Sequence, residues 1–473
     1  MSTTVGGSGT PPKKGRTALI VGIVVVIVII AAVAVTVAYL PHKTTPPPSK
    51  VTITVWDTSA AGGESTAFNT SLALFEAAHT NVTVDVTYGV SVGSTNFVTD
   101  ATSGTAPNVY RDSSDNGGSL YAGGLLVNLS QYLPSTVFAN YTSGTISDFT
   151  LNGAIYGLPV NTNGIAMYYN KALLPNGQPP ANTYQMIQDA VNVTNMGSSY
   201  LGMPYDIGAT YGYRFAAWFP AFGGEIFNST GYPMLNSTQD IAAMSWVWNW
   251  TVKYHVSQPG LSGESDEQAY FESNHSAFMF DGPWDQSTYL KAIGSNLGVT
   301  AIPINNATGL WPQPLWGSIG YLVANNKASG ASSAQIWASV QFAKEMTNYT
   351  AQLNLYTQAG DLPAMTSVGS YVSANPGSDP LISGWIAQEG HTQKFPNIPQ
   401  MAYYWTPFHI GTSNLEQNAS NNSGITPASV MNSIETQIIS GLTTNGVPLA
   451  AIVENTTLAA THNIFLVAVV GRP

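Results

Sequence analysis

Residues Ile155–Pro175, IYGLPVNTNGIAMYYNKALLP, decide the fold. A short apolar run, Ile155–Val160, reads as a strand and meets a polar elbow at Asn161–Gly164. A second apolar run, Ile165–Tyr169, follows and ends in a helix-start phrase. A strand that is interrupted by polar residues and then resumes suits a chain passing from one domain into another. Two lobes joined by crossing strands are the expectation.

Length agrees, since 473 residues exceed what one core holds. Charged residues are only 8% of the chain, against roughly 25% in ordinary soluble domains. Hydrophobic residues are 44%, so Asn, Ser, Thr, Gly and Tyr fill the deficit rather than a larger core. With 25 acidic and 14 basic residues the net charge is −11, which argues against nucleic acid or an anionic membrane surface as partner. A surface poor in carboxylates loses little when pH falls, and an acidic exterior is the expectation. There is no cysteine, so thiolate metal sites are excluded, and the seven scattered histidines form no H-E-x-x-H pair. Asn-x-Ser/Thr sequons stand at Asn69, Asn81, Asn128, Asn140, Asn192, Asn228, Asn236, Asn249, Asn274, Asn306, Asn348, Asn418, Asn421 and Asn455. They imply an exported, glycan-bearing surface.

Thr17–Leu40 is an uninterrupted, uncharged apolar run, long enough at 1.5 Å per residue for a bilayer core of about 30 Å. Lys13, Lys14 and Arg16 precede it, so residues 1–16 stay cytoplasmic and the body lies outside, on a single-pass anchor in the cell membrane. A secretory signal peptide is the competing reading, but the run is long for one and lacks an A-x-A ending. Pro41–Lys50, PHKTTPPPSK, reads as an extended stalk.

The body reads as mixed α/β. Val51–Trp56 and Val82–Tyr88 alternate as strands, and Glu64–His79 has helical spacing through Phe68, Leu72 and Phe75. One G-x-S-x-G, Gly89–Gly93, follows a strand, but Gly and Ser are so frequent that a chance match is expected. Trp246, Trp248 and Trp250 lie on one helix and read as core or lobe surface.

Six segments in order resemble the extracellular solute-binding proteins that serve sugar-type ABC importers. They are VTITVWDTSAAGGES (Val51–Ser65), Ala101–Leu133, Ile155–Pro175, FAAWFPAFGGEIFN (Phe215–Asn228), AFMFDGPWDQSTY (Ala277–Tyr289) and FPNIPQMAYYW (Phe395–Trp405). The last is close to the corresponding stretch of bacterial maltose-binding proteins, and the whole resembles the archaeal, membrane-anchored type. The resemblance implies a two-lobed α/β clamshell of the type II periplasmic-binding kind. Its first lobe spans 51–161 plus about 318–346, its second about 165–313 plus 350–443, and 444–473 is a C-terminal extension.

It also implies the ligand contacts: Trp56, Asp57 and Glu64 after the first strand, then Asp112, Asp115 and Asn116 after a later one. Asn163 takes the crossover position where maltose-binding proteins carry a carboxylate, and His409 falls where they carry Arg. Tyr211 and Tyr213 flank Gly212, so one of the two faces the cleft; Trp284 and Trp405 match the strongest stacking positions. Each has a plainer use: Trp56 as core, Asp112 as a turn cap, Glu64 as a helix-start carboxylate. The implied function is capture of a sugar by hinge closure and delivery to a membrane permease, with no covalent step, no cofactor and no metal. A pilin-like subunit self-assembling through its apolar N-terminal helix, and a secreted carbohydrate-active hydrolase, are the other readings.

Overall fold

The computed structural model describes residues 50–93, 95–375, 379–419 and 424–449, all within one compact unit, Thr45–Pro473. The anchor, which is also the helix of the pilin-like reading, and residues 450–473 lie outside the described residues. Among those described, no helix is long and apolar enough to cross a membrane.

The first lobe is built on β1 (Val51–Trp56), whose Val51, Ile53 and Val55 point inward while Thr52 and Thr54 face out. It pairs in parallel with β2 (Val82–Thr87) and β3 (Val109–Ser113). A short hairpin, β4 (Thr150–Leu151) and β5 (Ala154–Ile155), precedes β6 (Gly157–Asn163). After β7 (Ala166–Asn170), β8 (Phe278–Asp281) and β9 (Leu297–Thr300), the chain returns as β10 (Leu315–Val323). β10 is buried throughout and runs antiparallel between β3 and β6. β11 (Leu362–Pro363) edges β6, and β12 (Gln393–Lys394) pairs with β10, giving the order β11-β6-β10-β3-β1-β2. The second sheet is β8-β7-β9.

The stretch 155–175 therefore does cross between sheets: β6 belongs to the first and β7 to the second. The expected polar elbow is shorter than its composition suggests, because Asn161 and Asn163 continue the strand and only Gly164 and Ile165 turn. Gly164 is required there, since a Cβ would enter the ring of Trp316 on the neighbouring crossover strand. Asn161 has a buried role as well. The ladder shifts between Ile319 and Gly320, and the Ile319 N–H donates to the Asn161 carboxamide oxygen at 3.3 Å.

Each sheet has its own core. Ile53, Val55, Phe75, Val109, Leu158, Val323 and Phe342 fill the first. Met167, Met186, Phe215, Trp218, Phe280, Phe408 and Ile434 fill the second. Trp250 joins the second core and Trp246 packs against it, as the one-helix spacing implied. One expectation is corrected. The helices Tyr349–Ala359 and Thr366–Ala374 place Leu355, Ala359 and Val368 in the first core, so the return to the second lobe falls after residue 374 rather than at 350. Gly63 is the reason: with no side chain, it lets Ala359 approach the start of helix Gly63–Ala78. The second lobe resumes with helix Ile382–Glu389, whose Gly384 lies against Val299 of β9.

Candidate ligand-binding site

The first-lobe side of the cleft is the turn after β3. Asp112 is 1% exposed, and its Oδ1 accepts the Gly93 N–H at 2.8 Å. Gly93 closes the G-x-S-x-G loop, so that loop serves to hold Asp112, while the Ser91 carbonyl accepts from Tyr110 Oη at 2.9 Å. Burial pushes Asp112 up to about 8, with Asp115 adding repulsion, and burial pushes Asp115 to about 6. Of the two, Asp112 therefore holds its proton more tightly. Asp115 Oδ1 is buried and has no hydrogen-bond partner among the described residues. Asn116 is half-buried beside them, and its side chain bonds Asp112. Asn163 ends β6 opposite Gly317 of β10. A Cβ on Gly317 would lie 3.2 Å from both Ser114 Oγ and the Phe395 ring, so that glycine brings the acidic turn and the aromatic wall together.

The second-lobe side is a row of rings. Gly282 lets the Trp284 indole fold back over its own backbone, which explains the Gly-Pro-Trp sequence. Tyr213 lies 6.5 Å from Trp284 and is stacked on Phe395 at 6.0 Å and 16°; Phe395 lies 6.0 Å from Trp405. Trp284, Tyr213 and Trp405 are half-buried, each leaving ring surface for a guest. Tyr213 Oη donates to the Leu315 carbonyl at 3.3 Å. Burial, and then the nearby Asp115 and Asp281 carboxyls, hold its phenol well above the usual range.

Other residues singled out in the sequence sit elsewhere. Trp56 packs edge-on against Phe97 and Tyr110 at 6.1 and 6.0 Å in a small first-lobe cluster. Glu64 has internal partners: Oε1 accepts from Arg111 Nη2 at 2.6 Å and Oε2 accepts the Ala60 N–H. Asp57 accepts from Ser59 Oγ at 2.8 Å, and burial raises its pKa against the pull of Arg111. Tyr211, not Tyr213, faces outward, with a left-handed φ of 56°, its ring 4.6 Å from His409. His409 Nδ1 lies 2.9 Å from the Gly208 carbonyl, one helical turn beyond Trp405.

Two side chains that build this region are not marked individually by the sequence. Phe395 lies in the last of the six family-like segments but reads as core by type. Arg111 carries no signal, because its partner is 47 positions away. Breaking that buried pair leaves a charge unpaired, so Glu64→Gln is expected to lower stability by about 3 kcal/mol. Denaturant unfolding measures the loss, and ligand affinity of the folded variant should stay within about threefold of the parent if Glu64 is structural.

Glu264, Asp281 and Asp285 also converge, with one oxygen of each within 4.8 Å of the others. Hydrogen bonds already occupy much of this trio: Asp281 accepts from Tyr289 Oη and the Gly282 N–H, and Asp285 from Gln268 Nε2 at 3.0 Å. Arg214, itself paired with Glu267 at 2.6 Å, adds positive charge nearby.

Two α/β cores, strands crossing between their sheets, and rings set near buried carboxyls make up a two-lobed α/β fold with a candidate binding site. A family profile described as bacterial extracellular solute-binding protein matches residues 71–382, and the chain belongs to that family. It is 24% identical over 318 residues to a maltodextrin-binding protein of Bacillus subtilis, a match spanning 65% of this chain and 72% of that one. It is 23% identical over 306 residues to a maltotriose-binding protein of Pyrococcus abyssi, spanning 64% of each. Among solved structures, the maltose/maltodextrin-binding domain of Bdellovibrio bacteriovorus bound to maltotriose aligns with TM-score 0.73 at 22% identity, over 83% of this chain and 100% of that one. The maltose-maltodextrin binding protein of Alicyclobacillus acidocaldarius aligns with TM-score 0.68 at 26% identity, over 82% and 100%.

Proposed function

We propose that this protein captures a saccharide outside the cell by closure of its two lobes and passes it unreacted to an ABC permease. One observation carries the reading: a row of half-buried rings is set near a buried carboxylate oxygen that has no partner among the described residues. A sugar offers apolar CH faces to the rings and hydroxyl donors to the orphan oxygen. Closure follows because the guest bridges both walls and so favours the closed state. The relatives named above bind maltodextrin or maltotriose by name, which supports a saccharide. Asn163 and His409 stand where the resemblance to maltose-binding proteins expects charged groups, which points to a different sugar from maltodextrin. The run Thr17–Leu40 supports a retained membrane tether.

The test is a thermal-shift panel of mono- and oligosaccharides, with peptides and polyols as controls, on the body from Val51 onward. A ligand at one hundred times Kd should stabilise it by about 2.7 kcal/mol. A panel in which only peptides shift the transition, or in which glycans are turned over, would replace this reading.

A further inference from the structure

The chain holds 36 asparagines and 91 serines plus threonines in 473 residues, so random order gives about seven sequons where fourteen occur. The structure sorts these asparagines sharply. None of the twelve described sequon asparagines is buried, whereas the buried ones, Asn108, Asn161, Asn163, Asn170 and Asn305, all lie outside the motif. Asn140, Asn236, Asn274, Asn306 and Asn348 are exposed and sit in turns or just beyond helix ends, where an enzyme can reach them. The first and last lie on the first lobe, the other three on the second.

Their hydrogen bonds are of a kind that survives modification. Asn274 and Asn306 use Oδ1 to accept from Asn170 Nδ2 and Thr183 Oγ1, at 2.8 and 2.9 Å. Asn348 uses Oδ1 to cap the Ala351 N–H at 2.9 Å, and Asn140 donates one Nδ2 hydrogen to the Thr136 carbonyl at 3.2 Å. A glycosylated carboxamide keeps its oxygen and one N–H. The cleft is spared: segments 56–64, 91–93, 111–118, 157–170, 205–219, 278–289, 311–323 and 391–411 contain no sequon.

We propose that Asn140, Asn236, Asn274, Asn306 and Asn348 carry N-linked glycans that coat both lobes and leave the cleft mouth bare. In the attachment step Nδ2 bonds to the anomeric carbon of an oligosaccharide carried on a lipid phosphate. The carbon–oxygen bond to phosphate breaks, the amide gives up one proton, and the lipid phosphate departs. With charged residues at 8%, glycan hydroxyls supply the hydration that ionised side chains give other surfaces, and they do not titrate.

The test uses the full chain made in a host whose oligosaccharyltransferase reads Asn-x-Ser/Thr. Glycans are released by an amidase in 18O water and the peptides weighed, so that each occupied asparagine appears as labelled aspartate. Label at three or more of the five supports the proposal; label at two or fewer overturns it. The same chain from a host lacking the transferase should saturate at several-fold lower concentration at pH 4 with an unchanged ligand-induced thermal shift. Equal solubility would overturn the coating role.

Discussion

Replacing Trp284 or Trp405 with alanine is expected to cut the saccharide-induced stabilisation to about a third, and replacing both to abolish it. Rings that anchor a guest typically contribute at least about 2 kcal/mol, near thirtyfold in Kd. At a concentration one hundred times the parent Kd, the single variants would then gain about 0.9 kcal/mol in place of about 2.7, and the double variant almost nothing. Both indoles are half-buried at the edge of the second core, so the unliganded transition should move little. Tyr213→Phe is the internal control: it removes the bond to the Leu315 carbonyl while keeping the ring, and should retain most of the shift. If the double variant responds like the parent, the guest does not sit on this row.

The second large effect is on pH. Burial pushes Glu416 up to about 9, with Asp206 adding repulsion; it pushes Asp240 and Glu389 up to about 7. Each lies above its unfolded value of about 4, so the folded state holds the proton more tightly than the unfolded chain. The stabilisation is complete below about pH 4 and is lost as pH rises through 7 to 9. A tenfold tighter hold on the proton at each of the three carboxyls is enough for the protein to gain about 4 kcal/mol between pH 8 and pH 4. Over the roughly 400 residues of the body, that corresponds to a melting temperature higher by about 5 °C at pH 4. Most proteins go the other way, because native ion pairs need ionised carboxylates. Calorimetry in buffers from pH 3 to 9 decides it, and a transition that falls on acidification would refute the assignment of these carboxyls as buried neutral acids.

Much of this was legible in the chain. The alternation in Val51–Trp56 and the apolar–polar–apolar run at 155–169 report burial directly, and both became the strands they imply. Trp284 and Trp405 came from the order of segments, and both stand in the ring row. What failed to show was anything set by contacts distant in sequence. Glu64 looks the same whether it faces a cleft or Arg111, and nothing local announces a partner 47 positions on. Helix Tyr349–Ala359 likewise has no mark of the lobe it joins, because its apolar face would suit either core. The polar composition of Asn161–Gly164 suggested a loop, whereas the register shift between β6 and β10 needs a carboxamide at a place where a strand residue can supply one.

Trp316 has an indole nitrogen that is buried and lacks a partner among the described residues, and its ring is seated on Gly164 at the bend between the sheets. Its carbonyl accepts the Phe395 N–H at 3.2 Å, which ties the backbone of the bend to the ring row. The molecule therefore carries its own optical gauge. A difference emission spectrum against Trp316→Phe isolates the indole seated at the bend, and should change on saccharide addition if the lobes close as proposed.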